Sequence, residues 1–356
     1  MALIAREITH RNNNFNLLRM LAATAVLVSH AYPLALGEGT PEPLYSTLGM
    51  SLGTLAVLTF FATSGYFISK SFYNKRSHFD FVIARILRIY PGLFVVLLIS
   101  VAILGPIFTK LNLIEYFSSR ETLLYIPRNI RLWPLQYDLP GVFNDNPYPN
   151  AVNGSLWTLI YEVACYAMVA IVATLSKANN RRGFIVFLIA FAAFYIAALP
   201  TLNNHPHELT TLRNIHHLAL PFVLGMALFE FRKIAPLRLD VATALIVASI
   251  VSYGYPWFRE LFILAWSYGI FYLGFLESKR LMAYNNLGDY SYGAYIYGFP
   301  VQQIVASLCK GCTPLVMMAW SVPITILLAM LSWHFVEERA LAQRSILTTY
   351  LKHRRQ

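Results

Sequence analysis

Residues 15–36 read FNLLRMLAATAVLVSHAYPLAL, an apolar run long enough to cross a bilayer as a helix, with Arg19 and His30 inside it. The spacing of the two turns a helix through about 1100°, some 20° past three full turns, and raises it about 16 Å. The two side chains therefore share one face. A charge and a titratable imidazole in such a run cost several kcal/mol unless they face a polar interior. Two readings stay open on these residues alone. Either the pair lines a functional interior, or Arg19 snorkels to the interface and His30 hydrogen-bonds a neighbouring helix.

The whole chain is of this kind. Of its 356 residues 57% are hydrophobic and 13% charged, and the mean hydropathy is +0.52, far outside the range of soluble domains. The expected fold is all-α, a polytopic membrane helical bundle. A β-barrel is excluded because the apolar runs are about 20 residues long and do not alternate. The net charge of +11 comes from cations lying between apolar windows rather than in one stripe, which argues against a nucleic-acid partner. No cleavable leader is read: residues 1–14 are polar and basic, but the first apolar run is already span-length. Three cysteines make no disulfide framework, and the CxxC of Cys309 and Cys312 has no second pair. His205, His207, His216 and His217 lack acidic or thiol partners at ligand spacing, so no metal is expected.

Apolar windows fall near 15–36, 48–70, 83–105, 155–175, 183–201, 212–231, 238–255, 257–276, 290–309 and 313–338, which predicts about ten transmembrane helices. With the N-terminus cytoplasmic, Arg6, Arg11, Lys75, Arg76, Lys177, Arg354 and Arg355 fall inside, and most of the 28 Lys and Arg residues with them. Both termini are then cytoplasmic in a single integral membrane domain, 1–356. It comprises three spans over 15–105, an extracytoplasmic loop over 106–154, seven spans over 155–340 and a basic tail over 341–356. Trp133, Tyr137 and Tyr148 of the loop either stack on an extracytoplasmic acceptor or lie at the membrane interface, and the interface suits most such rings.

Residues 79–91, FDFVIARILRIYP, put Arg85 and Arg88 on one face a turn apart, where two guanidiniums suit a phosphate-bearing group or anchor the cytoplasmic end of the span. In NGSLWTLIYEVACY, 153–166, Glu162 lies about two turns below the outer surface, at a depth like that of His30. A carboxylate there either orients the imidazole and stabilises its protonated form, or ties two helices by a buried hydrogen bond. Tyr292 and Tyr295 in LGDYSYGAYIYGFP share a face and are expected to pack, and Glu337 in SWHFVEERAL is placed to pair with a loop arginine.

In order, Arg19 ahead of His30, FFATSGYFISKSF at 60–72, RILRIYP at 85–91, NGSLWTLIYE at 153–162, LGDYSYGAYIYGFP and SWHFVEE resemble the acyltransferase-3 family of integral membrane acyltransferases over essentially the whole chain. The resemblance implies a multi-pass enzyme of the bacterial inner membrane. It would move an acyl group, most often acetyl, from cytoplasmic acyl-CoA to a hydroxyl of a glycan or lipid-linked glycan, with membrane lipids around it and polysaccharide-pathway proteins as partners. It implies His30 and Glu162 as catalytic residues, and Arg19, Arg85 and Arg88 as residues of acyl-CoA use. Ser64, Tyr66, Trp157, Tyr292, Tyr295 and Glu337 stand in the matched motifs as substrate-side or supporting residues. There are two departures. Gly298 stands where a histidine is common, and Glu337-Glu338-Arg339 lacks the usual proline. That histidine is then either dispensable in this branch or tied to a different acceptor. A proton-coupled transporter or flippase for a lipid-linked sugar, with His30 and Glu162 as relay, fits the spans equally but leaves the paired arginines without a task.

Overall fold

The computed structural model describes residues 13–74, 78–176, 181–205 and 207–353; Arg6, Arg11, Lys75, Arg76, Lys177, Arg354 and Arg355 lie outside these ranges. The described chain is helical, with no β-strand. Every apolar window holds a helix: α1 Phe15–Leu36, α2 Leu52–Tyr73, α3 His78–Ile99, α4 Leu159–Leu175, α5 Arg181–Asn204, α6 Thr210–Glu230, α7 Leu239–Val251, α8 Phe258–Gly274, α9 Ser291–Leu308 and α10 Pro314–Ser332. Two helices widen into π-helical turns, α3 over Ser100–Leu104 and α10 over Trp333–Glu337. α10 starts cleanly, with the Thr313 hydroxyl accepting from Val316 N–H and Pro314 in the first turn.

Among the described residues seven helices are long and apolar enough to cross a membrane, or eight if α8 and the turns over Lys279–Asn286, bent from it by 87°, form one broken span. By length and hydropathy the count is thus seven or eight, against the expected ten. α7 has 13 residues, about 20 Å of helix against a hydrocarbon core of about 30 Å. α9 is interrupted by Tyr, Gly and Gln and falls short in hydropathy rather than in length.

The chain divides into two compact units. The first takes the residues through Leu18, Val57–His78 and Tyr161–Asn286. Its core is aromatic: Phe15 meets Phe67 and Phe275 edge-on at 5.0 and 4.8 Å, and Tyr66 meets Phe229 at 5.5 Å. The Asn14 amide donates to Leu273 O and Leu276 O at 2.9 and 2.7 Å, pinning the residue before α1 to the end of α8 and the turn after it. α2 and α6 meet backbone to backbone. A Cβ on Gly65 would stand 2.0 Å from Phe222 O, and one on Gly225 would stand 2.1 Å from Ala62 O, so small residues set this crossing.

The second unit takes Arg19–Ala56, Phe79–Ile160 and Leu287–Gln356. α9 is its axis, with every residue from Ser291 to Gln303 buried, as a helix covered on all sides must be. Tyr292 Oη donates to Ile89 O of α3 at 2.7 Å, Gln302 Nε2 to Leu27 O of α1 at 2.7 Å, and Asn153 Nδ2 to Ile296 O of α9 at 2.8 Å. On α10, Ala329 Cα comes so near Gly293 that a Cβ there would lie 2.8 Å away. The long connection after α3 is itself folded. It holds helices Leu113–Ser118 and Arg120–Ile130, and Gln303 Nε2 ties its last part to α9 through Tyr148 O and Ala151 O at 2.8 and 2.7 Å. Trp133 and Tyr137 remain exposed on it.

Candidate active site

In the second unit the start of α1, the first half of α3, the residues leading into α9 and the far end of α10 gather charge. Arg88 of α3 donates from Nη2 to Asp289 Oδ2 at 2.5 Å and from Nη1 to Glu337 Oε2 at 3.4 Å. Its guanidinium also lies over the Tyr292 and Trp333 rings at 5.6 and 5.8 Å. Glu337 is buried, and the Ser332 hydroxyl donates to its Oε1 at 2.9 Å. In an α-helix a five-residue step points about 140° away from its origin. The π-helical turn over Trp333–Glu337 closes that gap and brings Glu337 under Ser332 and toward Arg88. Glu337 thus has its arginine on a helix, not on a loop.

Asp289 accepts from the Ser291 hydroxyl at 2.6 Å. Burial pushes its carboxyl up, but the Arg88 and Arg19 guanidiniums and the bonds from Ser291 outweigh that and hold it down at about 2. Arg19 also acts electrostatically on Glu337, so two arginines from two helices share two acids. Arg85 lies over the Phe81 ring at 5.9 Å. The expected arginine pair is therefore divided in its surroundings, with Arg88 committed to carboxylates.

His30 lies three turns along α1 from Arg19. It is half-buried, and its ring meets Phe299 of α9 edge-on at 5.5 Å; Phe299 in turn meets the Tyr148 ring at 5.9 Å. No hydrogen bond to its ring nitrogens is made among the described residues. Glu42, in the loop after α1, stands near enough to act on the imidazole electrostatically. A Cβ on Gly298 would lie 2.7 Å from Leu27 Cδ1, so the space a histidine would enter here is filled by a leucine of α1.

Tyr292 and Tyr295 both pack, against different neighbours: Tyr292 on α3, and Tyr295 through a 2.7 Å hydroxyl bond with Thr158 in the 3-10 turn Gly154–Thr158 that leads into α4. Trp157 sits half-buried in that turn. Three expected site residues belong to the first unit: Tyr66 lies in its aromatic core, Ser64 is buried, and Glu162 accepts from the Tyr166 hydroxyl one turn on. Sequence reasoning passed over Asp289 and Glu42. Asp289 lay inside a quoted motif, two residues ahead of a serine that starts a helix, which is a readable pattern; nothing in the spacing of Glu42 marks it.

Among the described residues no group of three or more His, Cys, Asp or Glu is placed to hold a metal. His216 stacks on Tyr195 at 3.7 Å and bonds its carbonyl at 2.9 Å. Cys309 and Cys312, just beyond α9, are joined by a disulfide.

The family model described as Acyltransferase domain matches residues 12–334. The chain is 33% identical over 350 residues to an O-acetyl transferase of Shigella phage Sf6, covering 94% of this chain and 98% of that one. It is 30% identical over 202 residues to nodulation protein 10 of Rhizobium leguminosarum bv. viciae, covering 53% of this chain and 51% of the other. No solved structure matches it.

Proposed function

This chain belongs to the acyltransferase-3 family and is a membrane O-acyltransferase, and we propose that it takes its acyl group from cytoplasmic acyl-CoA and delivers it to a hydroxyl of a cell-envelope or exported glycan. Its setting in this reading is the bacterial inner membrane, with both termini inside. The group transferred is acetyl, on the strength of the likeness to the O-acetyl transferase of Shigella phage Sf6.

The observation that carries the reading is the arrangement along α1: a half-buried imidazole near one end and an arginine-carboxylate cluster near the other, both beside the buried α9. The rise of about 16 Å between Arg19 and His30 is of the order of an extended pantetheine arm. In this scheme Arg19 and Arg85 meet the phosphates of CoA, while Arg88, clamped by Asp289 and Glu337, fixes α3, α9 and α10 around them. His30 accepts the proton of the acceptor hydroxyl as its oxygen attacks the thioester carbonyl. The C–S bond breaks, the ester forms, and the CoA thiolate takes a proton back from the imidazolium. Tyr292, bonded to Ile89 O, and Tyr295, bonded to Thr158 next to Trp157, hold α9 in place beside this site.

The test is glycan-dependent release of CoA thiol from acetyl-CoA by purified protein in liposomes. Wild type is expected to release it, His30→Ala to lower kcat by about 10²-fold or more, and Arg85→Ala to raise KM for acetyl-CoA. Absence of thioester loss with every glycan, while a lipid-linked sugar crosses the bilayer, would mean a transporter instead.

A further inference from the structure

Glu42 lies outside the helix that carries His30, and the segment between folds back on itself. Gly37 and Gly39 take φ values of +115° and +88°, which side chains other than glycine's avoid. Thr40 N–H bonds Gly37 O at 3.2 Å, Glu38 N–H bonds Pro147 O at 3.3 Å, and Leu52 N–H bonds Pro43 O at 2.8 Å. This return path sets the Glu42 carboxylate on Ser29, the chain neighbour of His30. The Ser29 hydroxyl donates to Glu42 Oε2 and accepts the backbone N–H of Gly53 at 2.8 Å. Ser29 is fully buried, and a Cβ on Gly53 would lie 3.0 Å from its Oγ and 3.2 Å from Glu42 Oε2. Three segments of chain thus fix one carboxylate beside the turn of α1 that carries the imidazole. Among the described residues the Phe299 ring lies against His30, and the Tyr148 ring against Phe299, with the Tyr148 phenol under the electrostatic influence of both Glu38 and Glu42.

We propose that Glu42, fixed by Ser29, is the charge partner of His30: from beside this turn of α1 its carboxylate stabilises the positive charge that the ring gains when it takes the acceptor's proton. The proposal rests on His30 acting as the base of the reaction described above. It gives the carboxylate role to a residue of the same compact unit as His30, and Ser29 becomes its support.

The test compares wild type, Glu42→Gln, Glu42→Asp and His30→Ala in liposomes, each shown to be inserted and monodisperse, by kcat and KM for acetyl-CoA with a fixed glycan acceptor. Glutamine keeps the shape and an acceptor oxygen for Ser29 but removes the charge. Glu42→Gln is expected to lower kcat by about 10²-fold with KM unchanged, and Glu42→Asp to recover at least about tenfold of that loss. Full activity of Glu42→Gln beside an inactive His30→Ala overturns the role of Glu42 and leaves His30 as base. An active His30→Ala overturns the base reading itself. Equal loss in Glu42→Gln and Glu42→Asp, with KM rising in both, makes Glu42 a structural residue only and overturns the proposal.

Discussion

Arg88 answers two carboxylates and two aromatic rings at once, and this decides what its loss costs. Arg88→Ala leaves Asp289 and the buried Glu337 short of a counter-charge, a change worth about 3–5 kcal/mol when a buried pair is broken. The expected result is a large fall in thermal midpoint in detergent, with activity lost as a consequence. Asp289→Asn separates charge from packing. Because the folded carboxyl is held down at about 2, its contribution of about 2 kcal/mol is fully present above the unfolded value near 4 and fades as pH falls through 2. The melting difference between wild type and Asp289→Asn should therefore narrow as pH falls below about 4. Gly298→His is expected to destabilise through the clash with Leu27, and Leu27→Ala in the same chain to restore much of the loss, read as a double-mutant cycle of thermal midpoints. At this scale Arg19, Arg88 and Glu337 were legible because a charge in an apolar run is itself a signal. Glu42 was not, because a Gly- and Pro-rich loop does not announce where its return leg lands.

Helix positions could be read from hydropathy to within about six residues at either end, since burial in lipid or protein demands the same apolar runs. What hydropathy does not resolve is an inserted residue. The π-helical turns in α3 and α10 leave composition unchanged while rotating everything beyond them, and the Arg88–Glu337 pair depends on one of them. Nor does it resolve depth of contact, as the meeting of α2 and α6 makes plain. Gly65→Ala must drive a methyl into a backbone carbonyl that no side-chain rotation can move, and about 1–3 kcal/mol or more is expected to be lost. Ser64→Ala, one residue away, should change the stability by no more than about 1 kcal/mol and so move the thermal midpoint little. Equal midpoints for the two variants would show that the helices part more easily than their contact suggests.

Charge and redox chemistry speak together about the molecule as a whole. The arginine cluster lies where α9 begins and the Cys309–Cys312 disulfide where it ends, at opposite ends of an 18-residue helix. Disulfides persist on the oxidising side of a membrane and basic segments on the cytoplasmic side. In intact cells an impermeant thiol reagent is therefore expected to label Cys309 or Cys312 only after reduction, while a C-terminal fluorescent fusion matures in the cytoplasm. The reverse pattern would invert the assigned orientation. α9 also has a bearing on how the protein is made. Covered on every side and weaker in hydropathy than its neighbours, it has little to hold it in lipid alone, whereas α10, synthesised directly after it, is strongly apolar. The pair should enter the bilayer as one hairpin, after α1 and α3 are already in place. The wall against which His30 rests is thus completed near the end of translation. A nascent chain interrupted after Asn286 would carry an intact first helix with a vacant slot beside it, a mark by which membrane proteases could distinguish an unfinished molecule from a finished one.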